Sequence, residues 1–257
     1  MFGVHIRVHP MFWLVTVIMG WQLAKNGFHL LLIWVACVFV SILIHEFGHI
    51  AMGQFFGSRG HIVLHGFGGL AIGSNRLYRR SQRIAVCFAG PAAGFLAIGV
   101  LFLILWAMDP AVFPIYVNLT VLQLGLPTDF LMHINVLEPT HIPSPIFLFT
   151  VGELIFINVV WGLVNLLPVW PLDGGQISRD IWEGISDNGT YHSFGMSMVV
   201  AALLAIEGFA AEWRRDFLPI KIGSAYTGIL FAILAFQSFQ LMQYAAAERH
   251  WMDDHRE

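Results

Sequence analysis

Apolar residues in this chain come in long runs. About 20 of them carry a helix across the hydrocarbon of a bilayer, and five runs meet that length: residues 28–56, 84–107, 146–168, 192–213 and 223–246. A sixth, residues 11–24 (MFWLVTVIMGWQLA), is shorter. Pro10 before it and Asn26-Gly27 after it punctuate it as a helix, so it is also expected to span. Between the second and third runs the pattern changes: residues 61–71, HIVLHGFGGLA, open with β-branched residues and end in glycines, which predicts a short strand or hairpin on the cytoplasmic side. Residues 108–145 carry six of the eleven prolines; their apolar part, Ala111 to Leu126, is open between an interfacial helix and a loop. The expected fold is an all-α polytopic membrane protein, with about six transmembrane helices and a small β-hairpin or strand insertion after the second.

Composition supports the membrane assignment, because 57% of the 257 residues are hydrophobic and only 11% are charged. A net charge of −3, with no basic tract interleaved with aromatics, argues against nucleic acid as a partner. Cys37 and Cys87 fall inside apolar runs and read as inert core thiols rather than a disulfide. The start, MFGVHIRVHP, lacks a signal-peptide pattern and is expected to be retained. Lys and Arg flanking the spans favour both termini in the cytoplasm of a multi-pass cell-membrane protein. Arg7, Arg59, Arg76, Arg79, Arg80, Arg83, Arg179, Arg249 and Arg256 then lie inside; Lys25, Arg214, Arg215 and Lys221 lie outside. The cluster around Arg214 is the one departure from that rule. No loop has room for an added soluble domain, and no internal repeat is visible.

Candidate chemistry enters with IHEFGHI, residues 44–50, inside the second run. On a helix His45 and His49 share one face a turn apart, and Glu46 is rotated to the side. Two imidazoles so placed can hold one zinc ion, with the glutamate as general base toward water on its open side. An ionisable residue in mid-span costs about 2.5–3.5 kcal/mol on insertion scales, so a functional role is the default reading. A third ligand is sought among Glu153, Asp173, Glu207 and Glu212. Depth disfavours Glu153, near the outer end of its span, and also Glu207 and Glu212. Asp173 lies on the cytoplasmic side, as the histidines do, in NLLPVWPLDGG, residues 165–175. Pro168 and Pro171 break the helix there, and Gly174-Gly175 are expected to permit a tight reversal. Asn165 is a polar candidate at the same level, and Asn158 is expected to hydrogen-bond between helices.

HEFGH followed by NLLPVWPLDGG in a later span resembles the site-2 protease family of intramembrane zinc metalloproteases, in its compact bacterial and archaeal branch. HIRVHPMF, HGFGGLA and RIAVCFAGPAAGF add to the likeness, which covers about residues 1–185. The resemblance implies zinc held by His45, His49 and Asp173, Glu46 as general base, and Asn165 near the reacting peptide. It also implies one membrane-protease domain over 1–257, with a catalytic core of about 1–185 and an additional hairpin over 186–257. Many members carry asparagine where this chain has Gly94, and the PDZ and CBS modules of larger members are not expected here. The expected reaction is hydrolysis of a membrane-spanning protein substrate within the lipid bilayer, with room left for a membrane regulator or self-association. An unwound substrate is expected to pair with a strand edge in 61–71, whose His61 and His65 read as strand histidines. Two rivals remain: a catalytically silent zinc-binding membrane scaffold, and a metal transporter, which would repeat polar residues along a path.

Overall fold

The computed structural model describes residues 4–66, 68–75, 77–123, 143–213 and 225–254. It comprises two compact units, one of Met1–Leu77 with Ala89–Leu163 and the other of Tyr78–Phe88 with Val164–Glu257. The central part of the long loop and the Arg214, Arg215 and Lys221 cluster lie outside the described residues.

The first unit begins with strand β1 (Ile6–Val8) and helix α1 (Pro10–Gly20), which continues as a 3-10 helix over Trp21–Asn26. Proline opens α1, and the His9 ring accepts a hydrogen bond from the Met11 amide, so the helix starts where the punctuation predicts. Its 11 α-helical residues rise only about 16 Å, roughly half the hydrocarbon thickness. The 28-residue α2 (Phe28–Phe55) follows, and just beyond it Gly57 takes a φ of 85°, a conformation that suits glycine. Trp34 of α2 ties back to α1 by donating from Nε1 to the Thr16 carbonyl at 3.0 Å.

Next come β2 (His61–His65) and β3 (Gly68–Ile72), the hairpin expected from the sequence. The sheet is three-stranded, in the order β1-β2-β3: β1 pairs parallel to β2, and β3 pairs antiparallel on its other side. Ile62 and Leu64 alternate inward from β2 and are fully buried in a core with Phe12, Val38, Ile42 and Ile50. Each such side chain stabilises the packing by about 1.5–3 kcal/mol.

Helix α3 (Arg80–Met108) contributes to both units; its later part belongs to the first, as do α4 (Phe113–Gln123) and α5 (Pro145–Phe156). Within the open stretch 111–126, Phe113–Gln123 is helical, and residues 124–126 lie outside the described residues. Ser144 caps α5 by accepting from the Phe147 amide at 3.3 Å. The span then passes through a π-helical stretch, Ile157–Trp161, into the short α6 (Gly162–Asn165).

In the second unit, Pro168 and Pro171 end that span as expected, and the chain re-enters helix as α7 (Asp173–Ile185). Helices α8 (Gly189–Trp213) and α9 (Ala225–Asp254) complete the chain and pack as a hairpin. Arg83 ties the start of α3 to α7, donating from Nε to Asp180 Oδ1 at 2.8 Å.

Among the described residues, five helical stretches are long and apolar enough to cross a membrane: Phe28–Phe55, Arg80–Met108, Pro145–Asn165, Gly189–Ala210 and Tyr226–Arg249. Large apolar side chains such as Leu96, Leu103, Leu203, Ile206 and Phe236 lie exposed along them. That outer surface suits hydrocarbon rather than water.

Candidate metal centre and active site

Helix α2 presents its three motif residues to two different neighbours. His45, Glu46 and His49 are all buried, at 6%, 4% and 6% exposure, deep inside a span where unserved polar groups are costly. The imidazoles converge, with His45 Nε2 and His49 Nε2 3.1 Å apart and the rings edge to face. Zinc–nitrogen bonds of about 2.0–2.1 Å at a tetrahedral angle set two ligand nitrogens roughly 3.3 Å apart, so the pair fits one zinc ion.

Gly90 on α3 carries the fit further. A Cβ there would stand 2.8 Å from His45 Nε2 and closer still to His49 Nε2. The helix backbone has been brought up to the ligand atoms and left without a side chain, which keeps a small cradle open beside them. Close helix approach has the same origin one turn away: a Cβ on Gly48 would meet the Ala89 carbonyl and the Ala93 side chain. Gly90→Ala is therefore expected to weaken zinc binding at least about tenfold, or roughly 1.4 kcal/mol. Gly99→Ala, on the same helix with nothing within 4 Å of the added carbon, should bind zinc normally. Alanine favours a helix over glycine, so a loss confined to position 90 is steric; equal zinc affinity in both variants would remove the cradle from the account.

Glu46 faces the sheet instead. Its Cγ, Cδ and Oε1 occupy the place where a Cβ of Gly69 would project, so the carboxylate lies directly against the β3 backbone. Gly69 and Gly90 were not singled out from the sequence. Both stand in glycine-bearing stretches, HGFGGLA and CFAGPAAGF, but a glycine does not disclose what its missing side chain makes room for.

One turn before His45, Ser41 is buried and accepts a 2.7 Å hydrogen bond from Asn158 Nδ2, which also donates to the Leu154 carbonyl at 2.8 Å. Asn158 thus joins α2 to the π-helical stretch, the interhelical role expected of it. A Cβ on Gly94 would come 3.2 Å from Asn158 Oδ1. The Asn158 carboxamide therefore occupies the space beside position 94, where this chain departs from the family pattern. Among the described residues, no cluster of three potential metal ligands contains Glu153 or Glu207; the Glu212 side chain lies outside them. His61 and His65 are strand residues on the half-buried face of β2. Burial, then nearby His9, holds His65 below the usual imidazole value.

In the second unit, Asn165 is the last residue of α6 and is buried. The loop after it is clamped by Ser197 of α8, which accepts from the Trp170 amide and donates to the Pro168 carbonyl, both at 3.1 Å. Trp170-Pro171 is a cis peptide. Asp173, also buried, is the first residue of α7. Gly174 and Gly175 do not make the tight reversal expected of them. They open α7, and added Cβ atoms would run into the backbone of Leu166–Leu167 and Val169–Trp170.

Comparison with known proteins places these features among relatives. The profile described as peptidase family M50 matches residues 33–206. Stage IV sporulation protein FB of Bacillus subtilis is 24% identical over 93% of this chain and 67% of its own length. A zinc metalloprotease of Methanocaldococcus jannaschii is 29% identical over 70% of the chain, which spans only 43% of that relative. The solved structure of a site-2 protease from the same archaeon shares the fold, with a TM-score of 0.54 at 22% identity over 94% of this chain and 92% of its own.

Proposed function

Because the chain belongs to peptidase family M50, whose profile covers most of its length, we propose that it cleaves peptide bonds of membrane-spanning proteins with zinc held by His45, His49 and Asp173. It is a multi-pass membrane protein and a zinc metalloprotease of the site-2 protease type. The observation that carries the reading is the pair of buried imidazole nitrogens 3.1 Å apart on a membrane-length helix, with a buried carboxylate on the intervening turn.

Two histidines leave a catalytic zinc short of the usual three protein ligands. Asp173, buried at the head of α7, is the carboxylate offered as the third. When bound, zinc supplies a Lewis acid that makes water nucleophilic near neutral pH and polarises a carbonyl. Glu46 takes the proton from the attacking water at its carboxylate and returns it to the leaving amine nitrogen. Asn165 donates from its carboxamide toward the developing oxyanion. The chain is read as one catalytic domain, with α8 and α9 as an additional hairpin. The positive residues favour both termini on the cytoplasmic side. A purified-protein assay of zinc content and cleavage of a membrane-spanning peptide tests the reading: a zinc-loaded chain that cuts no such peptide would overturn it.

An unwound substrate needs backbone partners, and within 61–71 it is β3 rather than β2 that has an edge to offer them. β2 is the central strand, paired on both sides, so proline at Val63 or Leu64 would break the sheet itself. β3 pairs with β2 on one side only, among the described residues. The Ile62 amide and the Leu64 carbonyl point toward β1. Alternation then turns His61, Val63 and His65 toward β3, and Gly69 and Ala71 toward its outer edge. That edge runs past Glu46. Ala71→Pro is expected to remove an outward donor without breaking the β2–β3 ladder, cutting cleavage at least about tenfold, or roughly 1.4 kcal/mol, with zinc content unchanged. Undiminished cleavage would mean that this edge is unused.

A further inference from the structure

The second unit contains an open, largely apolar cavity of about 380 Å³ alongside α7. Phe88, Pro168, Ile181 and Met196 are among its walls. Leu166 and Gly174 line it too; they are the residues next in sequence to Asn165 and Asp173. One polar side chain breaks the apolar lining. Ser178, one turn on from Gly174, is 6% exposed, and its Oγ has no hydrogen-bond partner. Buried hydroxyls are ordinarily satisfied, so an unpaired one in the wall of an open cavity is suited to a ligand that brings its own acceptor.

We propose that this cavity is a substrate subsite, which seats a large apolar side chain next to the scissile peptide while Ser178 Oγ donates to a backbone carbonyl of the same segment. The inference rests on the protease reading above and names the side-chain class that it selects. The volume lies in the range of small-molecule pockets and has room for a leucine or phenylalanine side chain with part of its peptide unit. Membrane-spanning segments are rich in such residues and, once unwound, expose carbonyls in need of donors. The hydrocarbon tail of a lipid would fill the apolar part equally well, but it offers the buried hydroxyl no acceptor. The two kinds of occupant therefore differ at Ser178.

The test uses the full-length, zinc-loaded protein and membrane-spanning peptides that differ only in the residue before or after the scissile bond. At one of those two positions leucine or phenylalanine is expected to give at least tenfold higher kcat/KM than alanine. Met196→Trp, which fills the cavity, should lower that ratio at least tenfold with zinc content unchanged; Ile181→Trp does the same from another wall should the first variant lose its zinc. Ser178→Ala should lower kcat/KM several-fold on every peptide, and Ser178→Thr should restore most of it. The proposal is overturned if the unaltered protein shows no such preference, or if both tryptophan variants keep the original ratio. It is likewise overturned if native mass spectrometry finds a lipid that these variants displace without a change in the ratio. Cleavage that persists in Glu46→Gln would instead mark a failure of the protease reading, which separates the two.

Discussion

Glu46→Gln is expected to lower cleavage of a membrane-spanning peptide at least about 100-fold, the usual loss when a general base is removed, while zinc stays at one per chain. The substitution keeps the size of the side chain, which matters because Glu46 fills the space left by Gly69. It removes proton affinity and little else. The histidine pair on the neighbouring face of α2 is untouched, so the metal should remain. Cleavage at near-normal rates would sink the mechanism, and loss of zinc would show that the carboxylate is a ligand rather than a base.

The second large effect concerns the ligands. His45→Ala, His49→Ala and Asp173→Ala are each expected to reduce zinc affinity at least about 100-fold, going beyond the 10–100-fold seen when mere supporting partners of ligands are lost. Activity should fall with occupancy. The two histidines fail for a further reason, since removing one ring leaves the other buried nitrogen without its 3.1 Å neighbour. Metal analysis against a competing chelator reads the outcome. Should Asp173→Ala retain full zinc while Glu153→Ala loses it, the third ligand belongs to α5 instead.

What the sequence disclosed and what it withheld follow a physical division. His45 and His49 were legible because four-residue spacing fixes a shared helix face wherever the helix lies, and the break in the span after Asn165 because two prolines forbid it from continuing. The hairpin was legible in the β-branched opening of 61–65. The central place of its first strand, β2, in a three-stranded sheet was not, since β1 is only three residues long and comes from far upstream. That pairing covers the outer edge of β2 and leaves the one on β3. Gly174 and Gly175 suggested a turn, yet they serve close approach of the preceding loop, a distinction that depends on tertiary neighbours. The same holds for Gly69 and Gly90, and for the π-helical turn around Asn158, which no local residue announces.

The order of the elements carries a consequence for how the protein is made. Under the proposed ligand set, two ligands lie on α2 and the third waits at the head of α7, roughly 120 residues later; at 5–20 residues per second the ribosome takes about 6–24 s to cover that interval. Throughout it the inserted histidines can offer a metal only a two-point hold, weak enough to exchange with whatever ion is at hand. Selection of zinc over its competitors is therefore a late event in biogenesis, decided when the broken span delivers its carboxylate. A chain stalled before α7 would leave the membrane with a costly pair of buried imidazoles and no lasting metal.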